Sequence, residues 1–199
     1  MKVLAGSNPG YTGDVLYNGN PVELRNPAAA KKLGIQIVYQ EVDMALIPTL
    51  TVAENVMFND LVMNMGHKQF VNYGKIRKDA KEALARLNVN IDVRRMCGTL
   101  TLAQKQMVLI ARAVQSACNF LILDEPTAPL SDTETEELFR VVRHLRKTEN
   151  LALIFITHRI HEVLQICDSY TVMRNGEIVD TTPITPKTTS KEIVDKMLG

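Results

Sequence analysis

Net charge, cysteines and long apolar runs are all scarce in this chain, and each scarcity removes a class of function. Twenty-three Lys and Arg against 22 Asp and Glu leave a net charge of +1. A nucleic-acid binder is expected to carry a basic stripe. Here the cations alternate with acids, as in KIRKDAKEALARLN (75–88), the pattern of a solvated helix face. The three cysteines, Cys97, Cys118 and Cys167, are odd in number and far apart. They have neither metal-ligand nor redox spacing and read as buried thiols of a reducing compartment. The most apolar region, 107–123, is interrupted by Arg112, Gln115 and Asn119, so no membrane span is read. The opening MKVLAGSNPG lacks the long apolar stretch of a signal peptide. Any membrane role is therefore expected to be peripheral.

What is present is an ordinary globular composition, 46% hydrophobic and 23% charged over 199 residues, enough for one large domain or two small ones. Residues 1–6 read as the tail of a helix stopped at Gly6. GDVLYNGNPVEL alternates around Asn18-Gly19 and YTVMRNGEIVD around Asn175-Gly176, so two hairpins are predicted. LGIQIVYQ (33–40), FLILDE (120–125) and LALIFITH (151–158) read as buried strands, the last as fully buried. Between them lie helical patterns. Thr51/Glu54 and Ser131/Glu134 have capping-box spacing, LTLAQKQMVLIARAV starts another helix, and Thr189/Glu192 opens the last. The span from about 60 to 98 is helical in pattern, with Ile76, Ala80, Leu84 and Leu87 on one face. Ser131 is followed by an apolar face of Leu138, Val141, Val142 and Leu145.

Apolar strands alternating with amphipathic helices imply an α/β fold with a parallel sheet covered on both faces. Ligands of such sheets bind beyond the carboxyl ends of the strands. Gln40, Asp124, Glu125 and His158 all fall there. A strand-end carboxylate such as Asp124 suits Mg²⁺, which keeps much of its hydration shell. The adjacent Glu125 points elsewhere and can orient or deprotonate an attacking water. Gln40 could bind Mg²⁺ or position water, and His158 could hydrogen-bond a terminal phosphate. Each residue alone is bland: two acids in a loop, a surface glutamine, a structural histidine. Their shared position is the informative part.

LILDEPT, IFITHR, IVYQE and LTLAQKQMVLIARA, in this order along the chain, resemble the nucleotide-binding subunit of ABC transporters. The resemblance implies a P-loop NTPase-like parallel sheet flanked by helices, with a helical subdomain over about 55–115. It also implies Mg²⁺ and ATP as cofactors, and ATP hydrolysis coupled to transport. By it, Gln40 is the Q-loop glutamine that meets metal and water, Asp124 the metal-holding Walker B aspartate, Glu125 the catalytic glutamate and His158 the switch histidine. Thr101, Leu102, Ala103 and Gln104 occupy the signature motif. VYQEVDMALIPTLTVAENVMF and ITHRIHEVLQICDSYTVMRNGEIV are further similar to the first cassette of tandem ATPases that power monosaccharide importers. The implied partners are a transmembrane permease, a second ATP-binding cassette and, indirectly, an external sugar-binding protein, on the inner face of the cell membrane.

The sequence departs from the family at APLSD (128–132), where Ser131 stands at the position of the usual aspartate, and in two further places. The signature, usually Leu-Ser-Gly-Gly-Gln, reads Leu100-Thr101-Leu102-Ala103-Gln104, keeping a hydroxyl but neither glycine. The second of these is larger, because G-x-x-x-x-G-K-[ST] occurs nowhere. At the sole Gly-Lys pair, Gly74-Lys75, Gln69 stands at the first glycine position and Ile76 follows the lysine. By resemblance the chain is an incomplete nucleotide-binding domain over 1–199, starting just downstream of the phosphate loop, with that loop and the upstream strands missing. Losing four loop hydrogen bonds to phosphate, at about 1.5–3 kcal/mol each, removes about 6–12 kcal/mol. Micromolar affinity is only about 8 kcal/mol in total. The expectation is an ATPase subunit, or a fragment of one, that binds ATP weakly and is inactive alone. The alternative is a non-catalytic module docking on a permease or a partner cassette.

Overall fold

The computed structural model describes residues 1–64, 71–149 and 151–199, and divides into unit 1, Met1–Ile154, and unit 2, Phe155–Gly199. Gln69 lies outside the described residues.

Unit 1 opens with a helical turn that stops at Gly6, φ 69°: Ala5 N–H bonds to Met1 O and Gly6 N–H to Val3 O. The first predicted hairpin follows as β1 (Val15–Tyr17) and β2 (Asn20–Val22), antiparallel, with Tyr17 opposite Asn20. Its turn has φ of 51° at Asn18 and 77° at Gly19, the two left-handed positions that a type I′ turn demands. Helix α1 (Pro27–Lys32) begins with Pro at its first position and Asn26 capping Ala29 N–H. Gly34 then turns the chain into β3 (Ile35–Val38) at φ 76°. Its carbonyl accepts from Asn119 and Phe120 N–H at 2.9 and 3.1 Å, which starts the next strand beside it.

The connection from β3 to its parallel neighbour is a run of helices. These are α2 (Val42–Ala45), α3 (Val52–Val56), α4 (Phe58–Asn64), α5 (Tyr73–Arg86) and α6 (Leu102–Gln115). The predicted capping box of α3 forms, with Thr51 N–H to Glu54 Oε2 at 2.8 Å and Glu54 N–H to Thr51 Oγ1 at 3.3 Å. The helical span expected from about 60 to 98 is interrupted. Ala80, Leu84 and Leu87 are buried as predicted, but Asn88 adopts φ 55° and ends α5. The backbone beyond it serves other partners: Val93 O and Arg95 O accept from Ala53 and Val52 N–H, and Cys97 N–H donates to Leu50 O. Those bonds satisfy amides at the start of α3 that a helix leaves open.

β4 (Phe120–Asp124) pairs in parallel with β3, Val38 opposite Leu123. Leu121, Ile122 and Leu123 are fully buried, worth about 1.5–3 kcal/mol each relative to exposure. Helix α7 (Asp132–Thr148) starts in the predicted Ser131/Glu134 box and buries Leu138, Val141, Val142 and Leu145 together with Phe139. β5 (Ala152–Ile156) is third in the sheet order β3-β4-β5. It is not the fully buried strand expected, since Ala152 is exposed and residues 153–156 only half-buried. Among the described strands it stands last in that order.

Unit 2 continues from the end of β5 through α8 (Ile160–Ile166), the hairpin β6 (Ser169–Arg174) and β7 (Glu177–Pro183), and α9 (Ser190–Leu198). The hairpin turns at Asn175 and Gly176, φ 52° and 84°, as predicted. Tyr170, Val172 and Ile193 form a small core, with Ile160, Val163, Leu164 and Ile184 packed against it. Lys196 on α9 reaches Asp180 Oδ2 at 2.7 Å, Tyr170 Oη at 2.8 Å and Glu192 Oε1 at 2.9 Å, tying helix to hairpin.

Candidate functional site at the carboxyl edge of the sheet

The register of β3 with β4 brings two of the predicted residues to one edge. Asp124 is the last residue of β4, and Gln40 follows the end of its parallel neighbour β3 by two. Parallel strands lie about 4.8 Å apart, so this edge presents both side chains from adjacent strands. Asp124 is half-buried and Gln40 exposed. Neither side chain makes a hydrogen bond or ion pair among the described residues. A carboxylate with open coordination at a strand end can accept a hydrated cation. No group of three or more His, Cys, Asp or Glu able to hold a metal exists among the described residues. Mg²⁺ keeps several of its waters and needs only one or two protein oxygens. One carboxylate and one amide fit it.

Glu125 was expected within the strand. Instead the strand ends at Asp124, and Glu125 sits at φ 45°, in the left-handed region. For a residue with a Cβ this costs about 1–2 kcal/mol, and Pro126 narrows its choices further. The turn over-determines it. Pro126 and Thr127 are buried, Ala128 N–H donates to Glu125 O at 3.2 Å, and Leu130 N–H donates to Thr127 O at 3.0 Å. Ser131 and Glu134 then close the turn, with Ser131 N–H to Glu134 Oε2 at 3.0 Å and Ser131 Oγ donating to the same oxygen at 2.8 Å. The turn thus holds Glu125 in a backbone conformation different from that of the strand residue Asp124 before it.

Thr101, Leu102, Ala103 and Gln104 form the first turn of α6. Thr101 Oγ1 accepts from Gln104 N–H at 3.2 Å, and Gln104 Oε1 accepts from Thr101 N–H at 3.2 Å. Two of the four therefore cap each other, while the amides of Leu102 and Ala103 have no partner within the helix. Ala103 is buried and Leu102 exposed. His158 belongs to unit 2, exposed in the bend between β5 and α8. An open cavity of about 510 Å³ lies elsewhere, against the β1–β2 hairpin, with Tyr11, Asp14, Glu23 and Arg25 in its walls. None of the predicted residues lines it, and the sheet edge remains the better candidate on chemistry.

The sequence reading missed the polar centres around Arg112 with Asn55 and around Glu162. Arg112, seen only as an interruption of an apolar run, donates Nε to Asn55 O at 2.6 Å, Nη1 to Ala45 O at 2.8 Å and Nη2 to Asn55 Oδ1 at 3.0 Å. Burial pulls its pKa down from the ordinary arginine value. Asn55, fully buried, also accepts from Ile47 N–H at 2.9 Å and donates to Ile47 O at 3.0 Å. Together they pin the segment after Gln40 to the helix that begins at Thr101. The second centre, Glu162, is fully buried in the first turn of α8. Burial also raises the Cys118 and Cys167 thiols to about 11, which fits inert cysteines.

A family model described as ABC transporter matches residues 1–128. The chain belongs to the ABC transporter family. Among curated members, the ribose import ATP-binding protein RbsA 2 of Burkholderia pseudomallei (strain 1710b) is 38% identical over 185 residues, covering 91% of this chain and 35% of that protein. The ribose import ATP-binding protein RbsA of Streptococcus agalactiae serotype Ia is 40% identical over 200 residues, covering 100% and 39%. This ABC family chain thus spans well under half the length of these relatives. Of solved structures, cbiO1 from Clostridium perfringens, part of the ABC transporter complex cbiONQ, superposes with a TM-score of 0.77 at 26% identity, over 99% of this chain and 74% of that one. The ATP-binding cassette MJ1267 in its ADP conformation gives 0.80 at 22% identity, over 100% and 81%, and speaks to the fold alone. The α/β architecture expected from the sequence is the one these ABC cassettes share.

Proposed function

We propose that this chain is an ATP-binding component of a sugar importer and that the sheet edge at Gln40, Asp124 and Glu125 is its nucleotide site. The observation that carries this reading is the unpartnered Asp124 carboxylate beside Gln40 at the ends of two register-locked parallel strands. The sugar class is supported by the names of the ribose-import relatives. Asp124 and the Gln40 amide oxygen would hold Mg²⁺. Bound Mg·ATP supplies the phosphoryl electrophile, with part of its charge neutralised by the metal. Where a phosphate loop completes the site, Glu125 would accept a hydrogen bond from the attacking water and take its proton. Gln40 orients that water. His158, by its resemblance to the switch histidine, is read as a residue whose imidazole hydrogen-bonds a phosphate. Thr101 to Gln104 present the N-terminal turn of α6 to the nucleotide of a second cassette, where the free amides suit an anion. A permease subunit is the membrane partner, and a sugar-binding protein outside the cell loads that permease. No described helix is long and apolar enough to cross a membrane, consistent with peripheral attachment.

These 199 residues lack the glycine-rich loop, so on their own they bind Mg·ATP weakly and do not turn it over. The same observation favours a second reading, a non-catalytic module that docks on a permease or a partner cassette. Two assays test the inactivity and the importer assignment. Phosphate release by the purified chain should equal the protein-free background. Release that disappears in Glu125→Gln would refute the inactivity. Deleting the encoding gene should abolish uptake of at least one radiolabelled monosaccharide, ribose first. Unchanged uptake of every sugar would sink the importer assignment.

A further inference from the structure

Unit 2 holds a carboxylate that the proposed chemistry does not use. Glu162 is fully buried, in the first turn of α8, yet its oxygens are directed at the turn before the helix. Thr157 Oγ1 donates to Glu162 Oε2 at 2.8 Å, and the same hydroxyl oxygen accepts from Arg159 N–H at 3.0 Å. Arg159 Nη1 comes to 3.4 Å from Glu162 Oε1, and Glu162 N–H donates to Arg159 O at 3.0 Å. These bonds close a ring through residues 157, 159 and 162. His158 is the residue they enclose, and it is exposed.

An exposed bend of a few residues ordinarily samples several conformations, because each ordered residue costs about 1–2 kcal/mol of backbone entropy. Here both neighbours of His158 are tied to one buried group. A buried carboxylate cannot shift to find water, and breaking its partnerships leaves it unsatisfied. It therefore anchors better than a surface acid would. Helix α8 needs an N-cap, and Arg159 at that position makes no side-chain capping bond. A residue selected only for capping would be Ser, Thr, Asp or Asn here. The Thr and Glu are instead five apart and serve the bend.

We propose that Glu162 is the positioning residue of His158: through Thr157 and Arg159 it fixes the backbone on both sides of the histidine and so sets where the imidazole points. This rests on the reading of His158 as the phosphate-contacting residue, but its test needs no nucleotide. The isotope-labelled 199-residue chain is compared with Thr157→Val, Thr157→Ser and Glu162→Gln by amide hydrogen exchange and by the His158 imidazole resonances, assigned with His158→Ala. Thr157→Val removes the hydroxyl that bridges Glu162 to the Arg159 amide. Exchange at Arg159 should then accelerate about fivefold to tenfold, and the His158 imidazole signal should move or broaden. Thr157→Ser keeps the hydroxyl and should restore both. Glu162→Gln loses the charge paired with Arg159 and should shift the His158 signal as well. Throughout, Tyr170 and Ile193 amides in the small core should keep their protection. An unmoved His158 signal in Thr157→Val and Glu162→Gln would overturn the proposal, as would equal loosening of the core and the bend in all three variants. If the histidine moves as expected while His158→Ala leaves sugar uptake intact, the positioning stands and the catalytic reading of His158 falls.

Discussion

Replacing Arg112 with methionine tests how the segment after Gln40 is held. The guanidinium makes three donations, to Asn55 O, Ala45 O and Asn55 Oδ1, and lies 5.5 Å from the centroid of the Phe58 ring. It has no acidic partner among the described residues, so its charge is balanced by carbonyl dipoles and a ring face. Arg112→Met keeps a long apolar stem for packing and removes every donor. Two backbone carbonyls are left without these donors, at about 1–3 kcal/mol each, so the cost is about 2–6 kcal/mol. Part of this is returned, because the guanidinium no longer has to be desolvated. A central value of about 4 kcal/mol corresponds to a fall in Tm of about 8–16 °C for a chain this size. Urea unfolding followed by circular dichroism measures it, with Arg112→Lys expected to fall between the two because one ammonium cannot serve both carbonyls in the same geometry. A methionine variant within about 1 kcal/mol of the parent would show that these bonds merely replace equal bonds to water.

Other perturbations follow from single positions. At Gly34 an added Cβ would stand 2.8 Å from Asn119 Nδ2 and 3.0 Å from Ala117 O at a φ of 76°, so Gly34→Ala should destabilise by about 1–3 kcal/mol in the same urea assay. Gln106 is buried with both amide atoms unpaired, and Gln106→Met should stabilise by about 1–2 kcal/mol; a loss would reveal partners inside the core. The Asp180 and Glu192 carboxyls are held below their ordinary range, first by hydrogen bonds to the Lys196 ammonium. Depressed carboxyls contribute stability that is present above the unfolded values near 4 and is lost as pH falls through the lower folded values. Unit 2 should therefore loosen below about pH 4, with an acid dependence that Lys196→Met flattens, as read from Tyr170 and Ile193 amide protection.

How far the sequence foretold the molecule depended on whether the relevant physics was local. Asn18-Gly19 and Asn175-Gly176 were legible because few residues tolerate two successive left-handed positions, and both turns formed. The Thr51/Glu54 and Ser131/Glu134 boxes were legible because both partners lie within one helical turn. The alignment of Gln40 with Asp124 followed from two apolar runs ending in polar residues, once a parallel sheet was assumed. The exposure of β5 was not legible, since strand burial depends on neighbours rather than on the strand's own residues. Neither was the left-handed Glu125, which the surrounding turn imposes against intrinsic preference. Arg112 and Glu162 were missed for a related reason. A charged residue in a periodic pattern reads as solvated, and only the folded chain shows carbonyls or a hydroxyl waiting for it.

The most direct test of the proposed site is titration of the labelled chain with Mg·ATP, followed through the amides of Gln40, Asp124 and Glu125, with Asp124→Asn and metal-free ATP as controls. The account predicts weak, Mg²⁺-dependent shifts at these residues, lost both in Asp124→Asn and when the metal is chelated. Micromolar binding, or shifts that survive in Asp124→Asn, would contradict it.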